Sequence, residues 1–174
     1  MTLRVATEAA GRFVLPGPID SVAPLGNGLI HRSYLVSTCV TKSRQRFVLQ
    51  EINTGVFPNP AALMENVAAV LDHLTRTAAP GQRVLQSTPT NDDATWFIEA
   101  GRVWRMFGFV EDTKAVTGCP TARQAGQIGV AFGGFHNQMR TFPMERIRPV
   151  IVGYRNTAQY LDAFHRAVCA DPLD

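Results

Sequence analysis

The chain has 174 residues, 45% of them hydrophobic and 18% charged, and this composition excludes a disordered or fibrous protein. The 17 lysines and arginines, against 14 acidic residues, are scattered along the chain, which excludes the dense cationic surface of a nucleic-acid-binding protein. The three cysteines lack a disulfide or metal-binding spacing, and no signal-peptide or membrane-spanning pattern is present, so a reduced, cytoplasmic protein is expected.

The first 20 residues precede the main pattern of strands. Residues 5–14 have weak helical character, and the segment ends in a helix breaker made of Pro16, Gly17 and Pro18. We therefore interpret residues 1–20 as an N-terminal preface and place the start of the domain at Ser21.

Five β-prone segments follow, in the order three strands, one helix and two strands. Asn27 and Gly28 between the first two segments are typical of a hairpin turn, and Gly101 lies in a short connection between the last two. These patterns predict a sheet of about five antiparallel strands, with residues 83–87 as a candidate edge strand. The predicted strands comprise residues 21–25, 33–38, 46–52, 94–99 and 103–107.

A helix is predicted between the third and fourth strands. Asn59 can cap its free N–H groups, and Pro60 suits its first position. Apolar residues then recur at helical spacing and predict one buried face. That face comprises Leu63, Val67, Val70, Leu71 and Leu74.

Two further helices are predicted over residues 121–139 and 157–170. Their aromatic residues have no predicted partner within the chain. We therefore expect them to be exposed, or to be covered by a second copy of the chain in a homodimer. These residues are Phe132, Phe135, Tyr160 and Phe164.

The loop with Gly26, Asn27 and Gly28 has two interpretations. Glycines between strands let a backbone approach a phosphate, but Asn-Gly is also the common dipeptide of an ordinary hairpin turn, which is the more frequent case. It is not a Walker A loop or a dinucleotide-binding fingerprint, since a strand follows it. The order of the elements favours the phosphate interpretation, because the small lobe of the protein-kinase-like fold has the same order and a glycine-rich loop over ATP.

Residues 26–34, 47–53, 56–60 and 63–66 are similar to segments of a known family. The chain resembles bacterial N-acetylhexosamine 1-kinases, a branch of the aminoglycoside phosphotransferase and choline kinase-like family. The resemblance covers residues 20–170, most specifically between Phe47 and Asn66. It implies an α+β fold: a protein-kinase-like N-lobe with a five-stranded antiparallel sheet and one helix, followed by the first helices of an incomplete C-lobe.

This fold would divide the chain into two lobes. Residues 21–111 would form the small lobe, with the interlobe linker at its end, and residues 112–174 would begin the helical large lobe. The resemblance implies ATP and Mg²⁺ as cosubstrates. It also implies phosphoryl transfer to a hydroxyl of a small molecule, a sugar or an amino sugar, and no nucleic-acid or membrane partner.

The resemblance also implies which residues bind the nucleotide. The glycine loop would cover the phosphates, and the backbone of the linker would meet the adenine. Phe109 in the linker would either stack on the adenine or pack between the lobes. The nucleotide-binding candidates are Gly26, Asn27, Gly28, Gln50, Glu65, Phe107, Phe109 and Val110.

Gln50 lies where many kinases place the lysine that pairs with the phosphates. A neutral amide donates hydrogen bonds but carries no charge, so the positive charge must come from elsewhere. Related sugar kinases also carry glutamine there, which indicates a feature of the branch. Glu65 is the candidate for the helix carboxylate that pairs with a cation in kinases. A helical wheel places it opposite the apolar face, so an exposed surface glutamate is an equal alternative.

The catalytic loop of this fold is not found in the sequence. Phosphoryl transfer requires a catalytic Asp, an Asn downstream of it for Mg²⁺ and a further metal-binding Asp. No acidic residue after Glu111 is followed by Asn at a suitable spacing, and the four histidines have no metal-ligand spacing. We therefore identify no catalytic and no metal-binding residue, and expect a fragment, inactive alone, whose Mg²⁺ ligands lie outside this chain.

Two other functions stay open. The chain could be a non-catalytic nucleotide-binding or interaction module derived from such a kinase. It could also be an unrelated α+β ligand-binding domain in which the glycine loop is an ordinary turn. The kinase interpretation requires a five-stranded antiparallel sheet with the helix of residues 63–74 packed on it.

Overall fold

The computed structural model describes residues 3–26, 28–40, 43–113 and 121–171. They form a sheet, four α-helices and a short 3₁₀-helix at Met144–Arg146. In chain order the elements are α1 (Leu3–Ala10), β1 (Ile19–Pro24), β2 (Arg32–Val40), β3 (Ser43–Ile52), α2 (Pro60–Thr77), β4 (Trp96–Glu99), β5 (Arg102–Gly108), α3 (Ala122–Met139) and α4 (Thr157–Cys169).

The strands form one antiparallel sheet in the order β1-β2-β3-β5-β4, which confirms the predicted α+β fold. The candidate edge strand at residues 83–87 is not a strand. This segment runs beside β5 through isolated hydrogen bonds: the Gly108 N–H donates to the Gln86 carbonyl at 3.0 Å, and the Thr88 N–H donates to the Met106 carbonyl at 2.9 Å. The segment therefore lies beside the part of β5 that extends past the residues paired with β4.

One face of the sheet is covered by α1, and we call it the α1 face. Alternate residues of a strand point to opposite faces, and on this face Leu49, Trp104 and Met106 are fully buried. They belong to one apolar cluster with residues of α1, the segment after it, and β2. The other buried members are Ala6, Ala9, Ala10, Phe13, Tyr34 and Val36.

The N-terminal segment is thus part of the core, which the sequence pattern did not indicate. The weak helical character of residues 5–14 corresponds to α1, Leu3–Ala10, and the Phe13 side chain after it is only 2% exposed. The Val14 N–H then donates to the Pro89 carbonyl at 2.8 Å. The signal is weak because alanines, which bury little apolar area each, make up the buried side of the helix.

The other face is partly covered by α2, and we call it the α2 face. The helix begins as predicted, since the Asn59 Oδ1 accepts from the Ala62 N–H at 3.0 Å and Pro60 is the first helical residue. Its most buried residues differ from the prediction. Ala62, Met64, Ala69 and His73 are buried, whereas Leu63, Val67, Val70, Leu71 and Leu74 are half-buried.

The difference arises because α2 is packed on two sides. Met64 faces the sheet in a cluster with Ile52 and Val103. His73 faces the end of α3, where its Nε2 is 2.9 Å from the Gln138 carbonyl oxygen and its ring meets the Phe142 ring edge-on at 5.2 Å. Contacts in two directions bury residues that a single apolar stripe does not include.

The surfaces of α3 and α4 are open, and neither helix contains a buried residue. Their aromatic side chains are exposed as predicted: Phe132 is 63%, Phe135 41%, Tyr160 55% and Phe164 62% exposed. In the ranges that the structure describes, no helix has both the length and the apolar character required to cross a membrane.

Phe13→Ala tests whether the N-terminal segment belongs to the core. The substitution removes a buried ring and leaves a cavity, so the free energy of unfolding should fall by about 3–5 kcal/mol. Val14→Ala is the matched control, because Val14 is 50% exposed and its loss should cost less than about 1 kcal/mol. Urea unfolding followed by circular dichroism measures both values. Equal effects of the two substitutions would contradict the packing of this segment.

Candidate functional site

A cavity of about 490 Å³ lies on the α2 face, between β3, β5 and the chain that follows β5. Four of the candidates from the sequence line it, namely Gln50, Phe107, Phe109 and Val110. Its walls are apolar apart from a few polar side chains. The other lining residues are Val48, Val67, Leu85, Arg105, Gly108 and Thr113.

The pairing of β3 with β5 brings these residues together. In the antiparallel register Gln50 lies opposite Arg105, and Val48 lies opposite Phe107. Residues directly opposite each other, and residues two apart along a strand, share a face of the sheet. All four therefore project on the α2 face, whereas the intervening Leu49 enters the core on the α1 face.

Three polar side chains form a line across the α2 face. The Gln50 Nε2 donates to Ser33 Oγ at 3.0 Å, and the Gln50 Oε1 accepts from Arg105 Nε at 3.0 Å. The residues lie on the adjacent strands β2, β3 and β5. Ser33 is at the start of β2, the strand that follows the glycine loop, so the line extends from the cavity toward that loop. Both ends of the Gln50 amide are occupied by protein atoms.

Arg105 is a buried cation, and the residue is only 9% exposed. Its Nη1 is 3.8 Å from Met64 Sδ, and the centre of its guanidinium lies 5.1 Å from the Phe107 ring centroid. No carboxylate of the described residues forms an ion pair with it. Burial lowers the pKa of Arg105, although a guanidinium stays protonated in proteins.

The sequence interpretation missed Arg105, although a signal was present. The residue stands in the middle of β5, with the apolar Trp104 and Met106 on either side. Arginine is rarely buried unless it has a partner. A charged residue inside an apolar strand, on the same face as Phe107, therefore indicates either an ion pair or a ligand site.

The chain leaves β5 at Gly108 and forms the rim of the cavity. The Phe109 N–H donates to the Arg46 carbonyl at 3.0 Å, and the Arg46 guanidinium lies over the Phe109 ring at 4.3 Å from its centroid. Phe109 thus packs against β3 and also lines the cavity. Within the described ranges, the Val110 N–H donates to no backbone carbonyl, which leaves it for a ligand or water.

Neither described glycine of the loop lines this cavity, and both border other cavities. Gly26 has a φ of +67°, a conformation that favours glycine, and a Cβ on Gly28 would lie 2.9 Å from the His31 carbonyl oxygen. Both glycines border a cavity of about 260 Å³ together with Ser33. The backbone therefore favours glycine at positions 26 and 28. Asn27 lies outside the described residues.

His31 fastens the loop to the end of β3. Its Nδ1 accepts from the Asn53 N–H at 3.2 Å, and its ring lies 5.3 Å from the Phe57 ring. Burial lowers the pKa of His31, and the positive charge of Arg105 lowers it further. His31 is therefore neutral at pH 7, with Nδ1 as the acceptor.

Glu65 lies apart from the cavity, on the exposed side of α2. Its Oε2 is 3.0 Å from the Arg148 Nη1. The neighbouring Asn66 donates from Nδ2 to the Arg148 carbonyl at 2.8 Å and accepts from the Arg148 N–H at 2.9 Å. In this structure Glu65 is a surface glutamate that helps to fasten α2 to the segment before α4.

The structure offers no obvious metal site in the ranges it describes. They contain no group of three or more His, Cys, Asp and Glu side chains that could hold a metal ion. Cys39 and Cys169 are free and exposed, and Cys119 is outside the described residues.

An ion pair fastens the segment after β5 to β3. The Arg46 Nε donates to Glu111 Oε1 at 2.9 Å, and its Nη2 donates to Oε2, so that the guanidinium holds both carboxylate oxygens. Arg83 Nη1 also donates to the Glu111 carbonyl at 2.9 Å. The hydrogen bonds from Arg46 lower the pKa of Glu111.

Arg46→Met should return the pKa of Glu111 toward its ordinary value, as measured by NMR of the side-chain carboxyl carbon. Because the unfolded chain has an ordinary pKa of about 4.3, the pair stabilises the fold above that pH. This contribution is lost as the pH falls through the lowered pKa of the folded protein. Arg44→Met, which breaks a nearby pair with Asp20, is the control and should leave the pKa of Glu111 unchanged. A Glu111 pKa that is the same with and without Arg46 would contradict this pairing.

A comparison with protein families agrees with this geometry. The chain matches the family model described as phosphotransferase enzyme family, abbreviated APH, over residues 21–173. The match includes β2 to α4 and every residue that lines the 490 Å³ cavity. Because it extends over most of the sequence, the chain belongs to the phosphotransferase enzyme family.

Proposed function

We propose that the protein is an ATP-dependent phosphotransferase of small molecules and that its 490 Å³ cavity binds ATP. A nucleotide site requires an apolar slot for the base, a backbone donor for the ring nitrogens and polar or cationic groups for the phosphates. The observation that carries the proposal is that one cavity contains all three. Membership of the phosphotransferase family supports the same function.

The base would lie at the linker end of the cavity. Val48, Leu85 and Phe109 supply apolar surface there, and Val110 lies at its rim. The Val110 N–H, which donates to no backbone carbonyl within the described ranges, can donate to a ring nitrogen of adenine. A slot with these walls and one backbone donor favours a flat heterocycle.

The phosphates would point toward the line formed by Ser33, Gln50 and Arg105, which leads to the glycine loop. Mg²⁺, when bound, would supply positive charge that offsets the charge of the phosphates. The described residues do not form a cluster that fits this ion. The proposal therefore gives Mg²⁺ no ligand among these residues and attributes to this chain only the binding of the nucleotide.

The proposed acceptor is a hydroxyl of a sugar, with N-acetylhexosamines as the first compounds to test. Support for this choice comes from the segments between Phe47 and Asn66, which resemble N-acetylhexosamine 1-kinases. A cytoplasmic location is also proposed, because ATP chemistry and the free thiols of Cys39 and Cys169 suit a reducing compartment.

Val110→Pro tests the position of the base. Proline removes the backbone N–H, so the affinity for ATP should fall about tenfold if that group binds adenine. Val110→Ala keeps the N–H and is the matched control, with an affinity close to that of the wild type. Calorimetric titration of Mg-ATP measures the affinities, and thermal unfolding checks that both variants fold.

Phosphoryl transfer from ATP to N-acetylhexosamines is measured with the same preparations. Transfer to an N-acetylhexosamine would support the sugar kinase and would contradict the expectation that the chain is inactive alone. Binding of ATP without transfer is the expected result both for a fragment of a sugar kinase and for a non-catalytic nucleotide-binding module. A folded wild-type protein that binds no ATP would refute both of these functions.

A further inference from the structure

The guanidinium of Arg105 is a charge that the described part of the chain does not neutralise. The residue is nine-tenths buried, and its bonds within the described ranges are to the neutral Gln50 and Met64. A buried cation without an anion is costly, because the low dielectric around it cannot replace the water it has lost. Such a group is retained at a stability cost where an anion arrives from outside, as in a ligand site.

The geometry holds this guanidinium in one place. Gln50 accepts from Nε and is itself held by Ser33, Met64 contacts Nη1, and the Phe107 ring lies beside the planar group. Nη2 forms no hydrogen bond with another described residue. Arg105 lines the 490 Å³ cavity, so part of this residue borders the space in which a ligand would lie.

The position of Arg105 along the sheet determines which part of a nucleotide it meets. Val48 and Phe107 pair near the linker, and Gln50 and Arg105 pair two residues farther from it. Two residues of extended strand span about 7 Å. The guanidinium therefore lies beyond the base, toward the strand that leaves the glycine loop.

We propose that Arg105 supplies the positive charge that holds the phosphates of the bound nucleotide, and that Gln50 is the positioning residue that orients it. This inference rests on the proposed binding of ATP in the same cavity. It explains how a third strand with a neutral glutamine near its end can serve a nucleotide site, because the cation comes from β5, directly opposite Gln50. An arginine suits this role, since its planar fork binds phosphate oxygens through two N–H groups.

A purely structural role is the alternative, in which Arg105 only joins the sheet to α2 through Met64. The two roles differ in the ligand that they affect. A structural role would change the affinity for the base and for the whole nucleotide alike. A phosphate-binding role would change the affinity for ATP and leave the affinity for adenosine unaltered.

Arg105→Met tests this difference, because methionine replaces the aliphatic stem of the arginine and removes the charged guanidinium. Titrations of ATP and of adenosine should show that ATP affinity falls about tenfold or more while adenosine affinity is unchanged. Arg102→Met is the matched control: Arg102 is on the same strand but its cation is near Glu51, at 3.9 Å. This control should keep the preference for ATP.

Gln50→Glu is a second test that does not remove the arginine. A carboxylate in place of the amide would pair with Arg105, so the melting temperature should rise while ATP affinity falls and adenosine affinity stays the same. If Arg105→Met does not fold, Gln50→Glu tests the same role of Arg105. An unchanged affinity for ATP, or an equal loss for ATP and adenosine, would overturn the role of Arg105 while ATP binding itself stands. A wild-type protein that binds neither compound would overturn the proposed function as well.

Discussion

The antiparallel register between β3 and β5 is the constraint on which the rest of the structure depends. Side chains alternate between the two faces, so a slip of β3 by one residue would move Gln50 into the core of the α1 face, and a slip of β5 would do the same to Arg105. The slipped strand would also turn its buried residue, Leu49 on β3 or Trp104 on β5, toward the cavity. The apolar packing of one face therefore determines the polar line on the other.

The two faces of the sheet differ in how completely they are covered, and the cavity results from this difference. On the α2 face, Met64 covers Ile52 and Val103 at one end of β3 and β5. The cover does not extend to the other end, where Val48 and Phe107 line the cavity. Because His73 ties α2 to Gln138 at the end of α3, and Asn66 ties it to Arg148 beyond α3, the helix is held at the position that leaves this space open.

Features set by local chemistry could be predicted from the sequence, and features set by distant partners could not. The start of α2 was predicted to the residue, since the cap at Asn59 involves only its own first turn. The strands followed from alternation and chain order. The family resemblance implied Phe107 and Val110 as nucleotide-binding candidates, and both line the 490 Å³ cavity. The burial of α1 and the partners of Arg105 depend on residues far away in the chain. The periodicity of the sequence contains no information on such distant contacts.

The packing of α1 makes the folded unit longer than the segment that matches the family. The family match begins at residue 21, whereas the apolar core also includes residues of α1, Leu3–Ala10. A shortened protein that started with the family match would keep Gly26 and Gly28 of the loop and every residue that lines the 490 Å³ cavity. It would lose Ala6 and Phe13 from beneath the sheet and leave Trp104 facing water. If such a protein were insoluble, the defect would lie in an uncovered sheet and would carry no information about its chemistry.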